Sequence, residues 1–135
     1  HADVYGNYYG TSETWIREQL STGRDILLEI DWQGAEQVRK TFPEAIGVFI
    51  LPPSVEVLEH RLRSRGKDDE ATIQKRMASA RGEIDHVSNF DYVVINEVLD
   101  EAVRDLVSIV RAERLRTLRQ QTRHARRIAA MQSQG

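Results

Sequence analysis

Residues 25–34 read DILLEIDWQG: an apolar-rich run, then a carboxylate, then a glycine three positions after it. Ile26, Leu27 and Leu28 are consecutive instead of alternating with polar residues, the pattern of a strand buried on both faces, as in a parallel sheet. Asp31 follows directly, where a helix begins. Residues 46–51 (IGVFIL) and 91–95 (DYVVI) repeat the pattern and predict two further strands.

Helical spacing separates these runs. Thr11 or Ser12 caps a helix carrying Ile16 and Leu20, ended by Gly23. Ala35, Val38 and Phe42 recur at helical intervals before Pro43, which cannot continue a helix. Ser54 follows a Pro-Pro pair and caps a helix with Val55, Leu58 and Leu62 on one side. A longer helix is marked by Ile73, Met77, Ala80, Ile84 and Val87, and a last one by Leu99, Val103, Leu106, Val107 and Val110. Strands alternating with helices imply an α/β fold with right-handed crossovers. From Arg63 to Ala71 the pattern lapses into RSRGKDDEA, a charged loop between two helices that is able to move.

Composition narrows the function classes. With 135 residues, 40% hydrophobic and 30% charged, the chain has material for one domain with a core. The absence of cysteine excludes disulfides, thiol catalysis and thiolate metal sites, and fits a reducing, cytoplasmic setting. No apolar run approaches bilayer length, so no membrane partner is expected. The chain opens on HADVYGNYYG, without Met and without the plan of a secretory signal, and looks cut from something longer. Charge is uneven: residues 1–110 carry 12 Lys+Arg against 20 Asp+Glu, while residues 111–135 carry seven Arg against Glu113 alone.

Ligands of open parallel sheets bind beyond the carboxyl ends of the strands. Asp31 ends the first strand and Asn96 the third, so both are candidates; the plain alternative for Asp31 is a helix cap. Arg61 and Arg65 lie four apart, and Arg76 comes from the far side of the charged loop. A phosphoryl group in transfer needs planar, multi-donor cations around its oxygens, and these arginines supply them if the loop folds over a nucleotide. Otherwise they are solvated helix-surface charges. In Gly6-Asn7-Tyr8-Tyr9-Gly10-Thr11 two glycines bracket a tyrosine pair, whose hydroxyls either donate to a phosphate or belong to core packing. The four histidines show no ligand spacing, and no HExxH, GxSxG or GxxxxGK[ST] occurs. A metal held by this chain alone is not expected.

Taken in order, GNYYGT, LLEIDWQGA, VFILPPS, RLRSRG, KRM, DYVVIN and IVRAERLR closely resemble the guanylate kinase family, its bacterial members in particular, over residues 3–118. The resemblance implies an α/β, P-loop-kinase-like (nucleoside monophosphate kinase) three-layer fold with a parallel sheet and a helical lid, its N-terminal part missing. It implies a remnant of the GMP-binding subdomain at 1–11, core at 12–61 and 83–118, a lid at 62–82 and a basic tail at 119–135. By position, it assigns Tyr9 to the GMP phosphate and Thr11 to guanine. Asp31 would lie near GMP and the transferring phosphate, with Gln33 and Gly34 in its motif and another common family acid at Glu29. Arg61, Arg65 and Arg76 become the catalytic arginines closing on the phosphates, Arg65 also serving ATP, and Asn96 lies beside the adenine. At that last position INE replaces the usual VND.

The implied reaction is ATP + GMP giving ADP + GDP in purine metabolism, with Mg²⁺ arriving on the ATP and not held by this chain alone. The family's Gly-rich phosphate loop is not in the sequence, so the 135 residues by themselves are expected to be inactive. Two other readings stand beside this one. A non-catalytic guanylate-kinase-like interaction domain would have eroded its phosphate-facing residues, which are present here. The arginine-rich end suggests nucleic acid, but a solvated helix extending from the core and fraying is the stronger account, so nucleic acid is not counted among the partners. Self-association into a homo-oligomer is left open.

Overall fold

The computed structural model describes residues 13–134, and these divide into two compact units. One holds the chain up to Pro43 together with Gln121 onward; the other is Glu44–Gln120.

In the first unit, α1 (residues 13–21) ends as its sequence directs. Gly23 adopts φ +84°, its N–H meets the Leu20 carbonyl at 3.0 Å, and Arg24 N–H returns to the Gln19 carbonyl at 3.2 Å. A left-handed residue there lets the last carbonyls of the helix be satisfied. α2 (Trp32–Thr41) stops at Phe42, whose N–H still reaches the Val38 carbonyl at 2.7 Å. Ile16 and Phe42 are buried, and the Arg17 guanidinium lies 4.7 Å from the centroid of the Phe42 ring, a cation–π contact.

Residues 24–31 between these helices form no strand. The expected strand at 25–30 is therefore corrected: Leu27 is 88% exposed and Leu28 42%. A parallel strand acquires its hydrogen bonds and its burial from neighbouring strands, and no partner pairs with these residues among those described.

The second unit contains the sheet. β1 (Val48–Leu51) and β2 (Tyr92–Ile95) pair in parallel, in the register Val48↔Tyr92 through Leu51↔Ile95. Both start slightly later than expected because their entry is built as a clasp. Gly47 N–H donates to the Asp91 carboxylate at 2.8 Å, while the N–H groups of Asp91 and Tyr92 donate to the Gly47 carbonyl. Phe49 and Phe90 meet edge to face at 4.9 Å.

The crossover between the strands carries α3 (Val55–Ser64) and α4 (Glu70–Ile84). Ser54 caps α3 through Oγ, accepting from Val57 N–H at 3.1 Å, as its position after Pro-Pro predicts. Ile73 and Met77 are the buried residues of α4; Val87 falls beyond it in a 3-10 turn.

α5 (Leu99–Arg114) buries a different stripe from the one expected. Ala102 and Glu113 are buried with Leu106 and Ile109 half-covered between them, while Leu99, Val103 and Val107 are exposed. Its apolar face is wider than the described residues cover. Two short helices follow, α6 (Thr117–Arg123) and α7 (Ala125–Ser133).

Candidate functional site

The α3–α4 pair concentrates charge, and its contacts sort that charge. Arg63, at the end of α3, forks onto both oxygens of Glu70, the longer bond at 2.9 Å, and its Nη2 also reaches Glu59 at 3.2 Å. The paired carboxylate holds the Arg63 guanidinium above its usual range. Conversely, the hydrogen bonds from Arg63, then from Gln74, pull the Glu70 carboxyl down to about 2. Asp69 caps α4, its Oδ1 accepting from Thr72 N–H at 2.8 Å. Hydrogen bonding from the Thr72 side chain, then its backbone, keeps that carboxyl below the usual carboxylate range. Asp68, the most sheltered of the three loop acids, lies 3.6 Å from Arg76 Nη1.

Every acid in Lys67–Glu70 is thus engaged. The side chains of Arg65, directly after α3, and Lys67, directly after Gly66 (φ +64°), make no hydrogen bond or ion pair among the described residues. Two exposed cations without an ion-pair partner remain on a loop where Asp68 faces Arg76 and Glu70 faces Arg63.

Arg61 faces elsewhere. Its Nη1 donates to the Asn96 carbonyl at 2.8 Å and its Nη2 to the Glu97 carbonyl at 3.3 Å. Asn96 itself extends the parallel ladder, its N–H meeting the Leu51 carbonyl at 2.7 Å. Two of the expected site residues, Arg61 and Asn96, are therefore joined at the carboxyl end of β2, where a parallel sheet binds ligands. Arg65 and Arg76 flank the charged loop.

In the other unit, Asp31 is the N-cap of α2 and accepts from Gly34 N–H through Oδ1 at 2.8 Å. Its second oxygen is not engaged among the described residues. The plain cap role is thus present without using up the carboxylate. A Cβ on Gly34 would stand 3.2 Å from both Asp31 Oδ1 and Ile30 Cβ, so the glycine lets the cap close. Gln33 and Glu29 are exposed. Tyr9 and Thr11, with the rest of the GNYYGT segment, lie outside the described residues.

Inspection of the sequence passed over Arg63, Asp68 and Glu70. The Glu59–Arg63 spacing of four was a signal for pairing on one helix face, but Glu70 lies across the loop and needed the fold. It also passed over a pair in which half-buried Tyr92 donates to the buried Glu113 Oε2 at 2.6 Å. Donation to that carboxylate pushes the Tyr92 phenol up.

The family profile described as "Guanylate kinase" matches residues 1–113. The chain belongs to the guanylate kinase family. It is 61% identical over 123 residues to the guanylate kinase of Aromatoleum aromaticum, an alignment covering 91% of this chain and 60% of that protein. To the guanylate kinase of Chromobacterium violaceum it is 61% identical over 130 residues, covering 96% and 60%. Among solved structures, the crystal structure of guanylate kinase from Anaplasma phagocytophilum matches with a TM-score of 0.57 and 36% identity, over 69% of this chain and 43% of that one. The chain thus spans about three-fifths of the length of these curated relatives. Its helix-rich structure around a parallel strand pair is that of the P-loop-kinase-like α/β fold. Among the described residues no helix is long and apolar enough to cross a membrane.

Proposed function

We propose that the protein made from the complete coding sequence transfers a phosphoryl group from ATP to GMP, giving ADP and GDP. The observation that carries this reading is the pair of exposed cations, Arg65 and Lys67, which have no hydrogen-bond or ion-pair partner among the described residues, while Asp68 and Glu70 beside them are paired with Arg76 and Arg63. Such a loop attracts an anion and has little else to do with its charge. Family membership names that anion as a nucleotide phosphate.

In this reading Arg65 and Arg76 close on the phosphates. Arg76 leaves Asp68 for a phosphate oxygen, since a long 3.6 Å ion pair half open to water is readily exchanged. Arg61 holds the β2 exit, where Asn96 lies beside the adenine, and adds positive charge at the edge of the phosphates. Asp31, oriented by Gly34 N–H, turns its other oxygen toward GMP, with Gln33 beside it. Tyr9 binds the GMP phosphate and Thr11 a guanine edge. Transfer needs the GMP oxygen in line with the γ-phosphorus and an offset for the charge that develops; the arginines of the α3–α4 loop supply that offset, and closure of the loop excludes water that would otherwise hydrolyse ATP.

Mg²⁺ arrives with ATP. Among the described residues no three His, Cys, Asp or Glu side chains come together as ligands, so these residues do not form a metal site and no step is routed through one. The 135 residues also contain no GxxxxGK[ST] to cradle the β- and γ-phosphates. As an isolated polypeptide they should turn over negligibly, and GMP-dependent ADP release by that polypeptide would refute this. We place the enzyme in the cytoplasm, with its free nucleotides.

Coupled ADP release by the protein from the complete coding sequence tests the main reading. GMP-dependent turnover well above that with AMP is expected. Phosphopeptide binding without GMP-dependent turnover would instead establish the non-catalytic interaction domain.

A further inference from the structure

Arg63 is the one arginine of the RLRSRG segment whose donors are spent on acids. Its Nη1 and Nη2 hold Glu70, and Nη2 also holds Glu59. A phosphate approaching it would meet two carboxylates, which disfavours direct contact with a nucleotide. The Arg63–Glu70 contact is also unlike an ordinary helix-surface pair, because it joins residues seven apart on two different helices, across the loop holding Arg65 and Lys67. Gln74 fixes the same Glu70 carboxylate from the next turn of α4 at 3.1 Å.

We infer that Arg63 is a positioning residue: by clamping Glu70 it sets the separation of α3 from α4, and so presents Arg65 and Lys67 to the phosphates in one geometry. Both partners are substantially exposed, at 42% and 62%, so the clamp adds little to global stability. A bidentate fork supplies geometric definition instead, and misplacement of a catalytic cation by about an ångström is enough to slow transfer severely. The role rests on the phosphotransferase reading above.

The test uses Arg63→Met, Glu70→Gln and the double variant in the protein made from the complete coding sequence. Each single change should lower kcat for GMP-dependent ADP formation about tenfold and leave the KM for GMP within about twofold. The double variant should be no worse than either single one, since both break the same contact. Glu70→Gln removes the carboxylate fork and leaves Arg63 on Glu59 alone. If that change left the rate intact or raised it while Arg63→Met lowered it, Arg63 would be acting on the nucleotide itself and the inference would fail. Additive losses would overturn it too.

Amide exchange at residues 65–69, without nucleotide, is a second readout that needs no activity. It should accelerate in either single variant, and unchanged exchange contradicts the clamp. Absence of turnover in the unmodified protein would count against the phosphotransferase reading alone, with the exchange experiment still deciding the clamp.

Discussion

Around the α3–α4 loop each acid meets a donor only a few residues away, whereas the run at 25–30 pairs with no strand among the described residues. Asp68, Asp69 and Glu70 are satisfied by Arg76, Thr72 and Arg63, all within the same helix–loop–helix stretch. Leu27 and Leu28 are exposed, although they sit in an apolar-rich run like the one that forms β1. One region is held by contacts that local sequence supplies, and the other depends on strands that must come from elsewhere in space. Charge pairing and capping are short-range devices, while a buried parallel strand is a long-range one.

Amide exchange should show this contrast most strongly. Paired strand amides in 48–51 and 92–95 should be slowed relative to those in 25–30 by a factor on the order of a thousand. Comparable protection of 25–30 would mean that it has found a partner strand, and would break the comparison. Next in size is a pair of truncations. Met77→Ala, at a side chain only 2% exposed, should cost about 2–5 kcal/mol in denaturant unfolding, whereas Leu27→Ala should change stability by less than about 0.5 kcal/mol.

Acid titration sharpens the other half. The Glu70 carboxyl is depressed to about 2, so its contribution is complete above the ordinary carboxylate value and lost only as pH falls through about 2. The exchange pattern of residues 65–69 should therefore be the same at about pH 6 and pH 7 after correction for intrinsic rates, and weaken as pH falls from the ordinary carboxylate value toward about 2; loss of protection already at about pH 6 would contradict the clamp. Smallest in stability is Asp31→Asn. Asparagine caps as well as aspartate, so the Tm should be nearly unchanged. Activity should nevertheless fall if the free carboxylate oxygen has work beyond the cap, and unchanged activity would reduce Asp31 to a helix cap.

The same division explains what the sequence made legible. Ser54, Gly23 and Pro43 announced helix boundaries through local chemistry, and the structure has them there. The strands at 46–51 and 91–95 were read nearly in place because each found the other. The strand at 25–30 was misread, since a periodicity argument sees burial potential and not the neighbour that would realise it. In the candidate site, Arg61 and Asn96 were chosen separately, and the structure joins them. The pairing of Arg63 with Glu70 escaped notice because residues seven apart meet only after the chain turns at Gly66. Glu113 escaped for another reason: a buried carboxylate in an arginine-rich stretch reads as an ordinary surface ion pair until Tyr92 is seen against it.

The central claim is that the charged loop between α3 and α4 serves phosphoryl transfer. Arg65→Ala tests it most directly, because Arg65 has no side-chain partner among the described residues whose loss would confuse the result. In the protein from the complete coding sequence, kcat for GMP-dependent ADP formation should fall about 10²–10³-fold with the Tm unchanged. A kcat within about twofold of the unmodified protein would contradict the account.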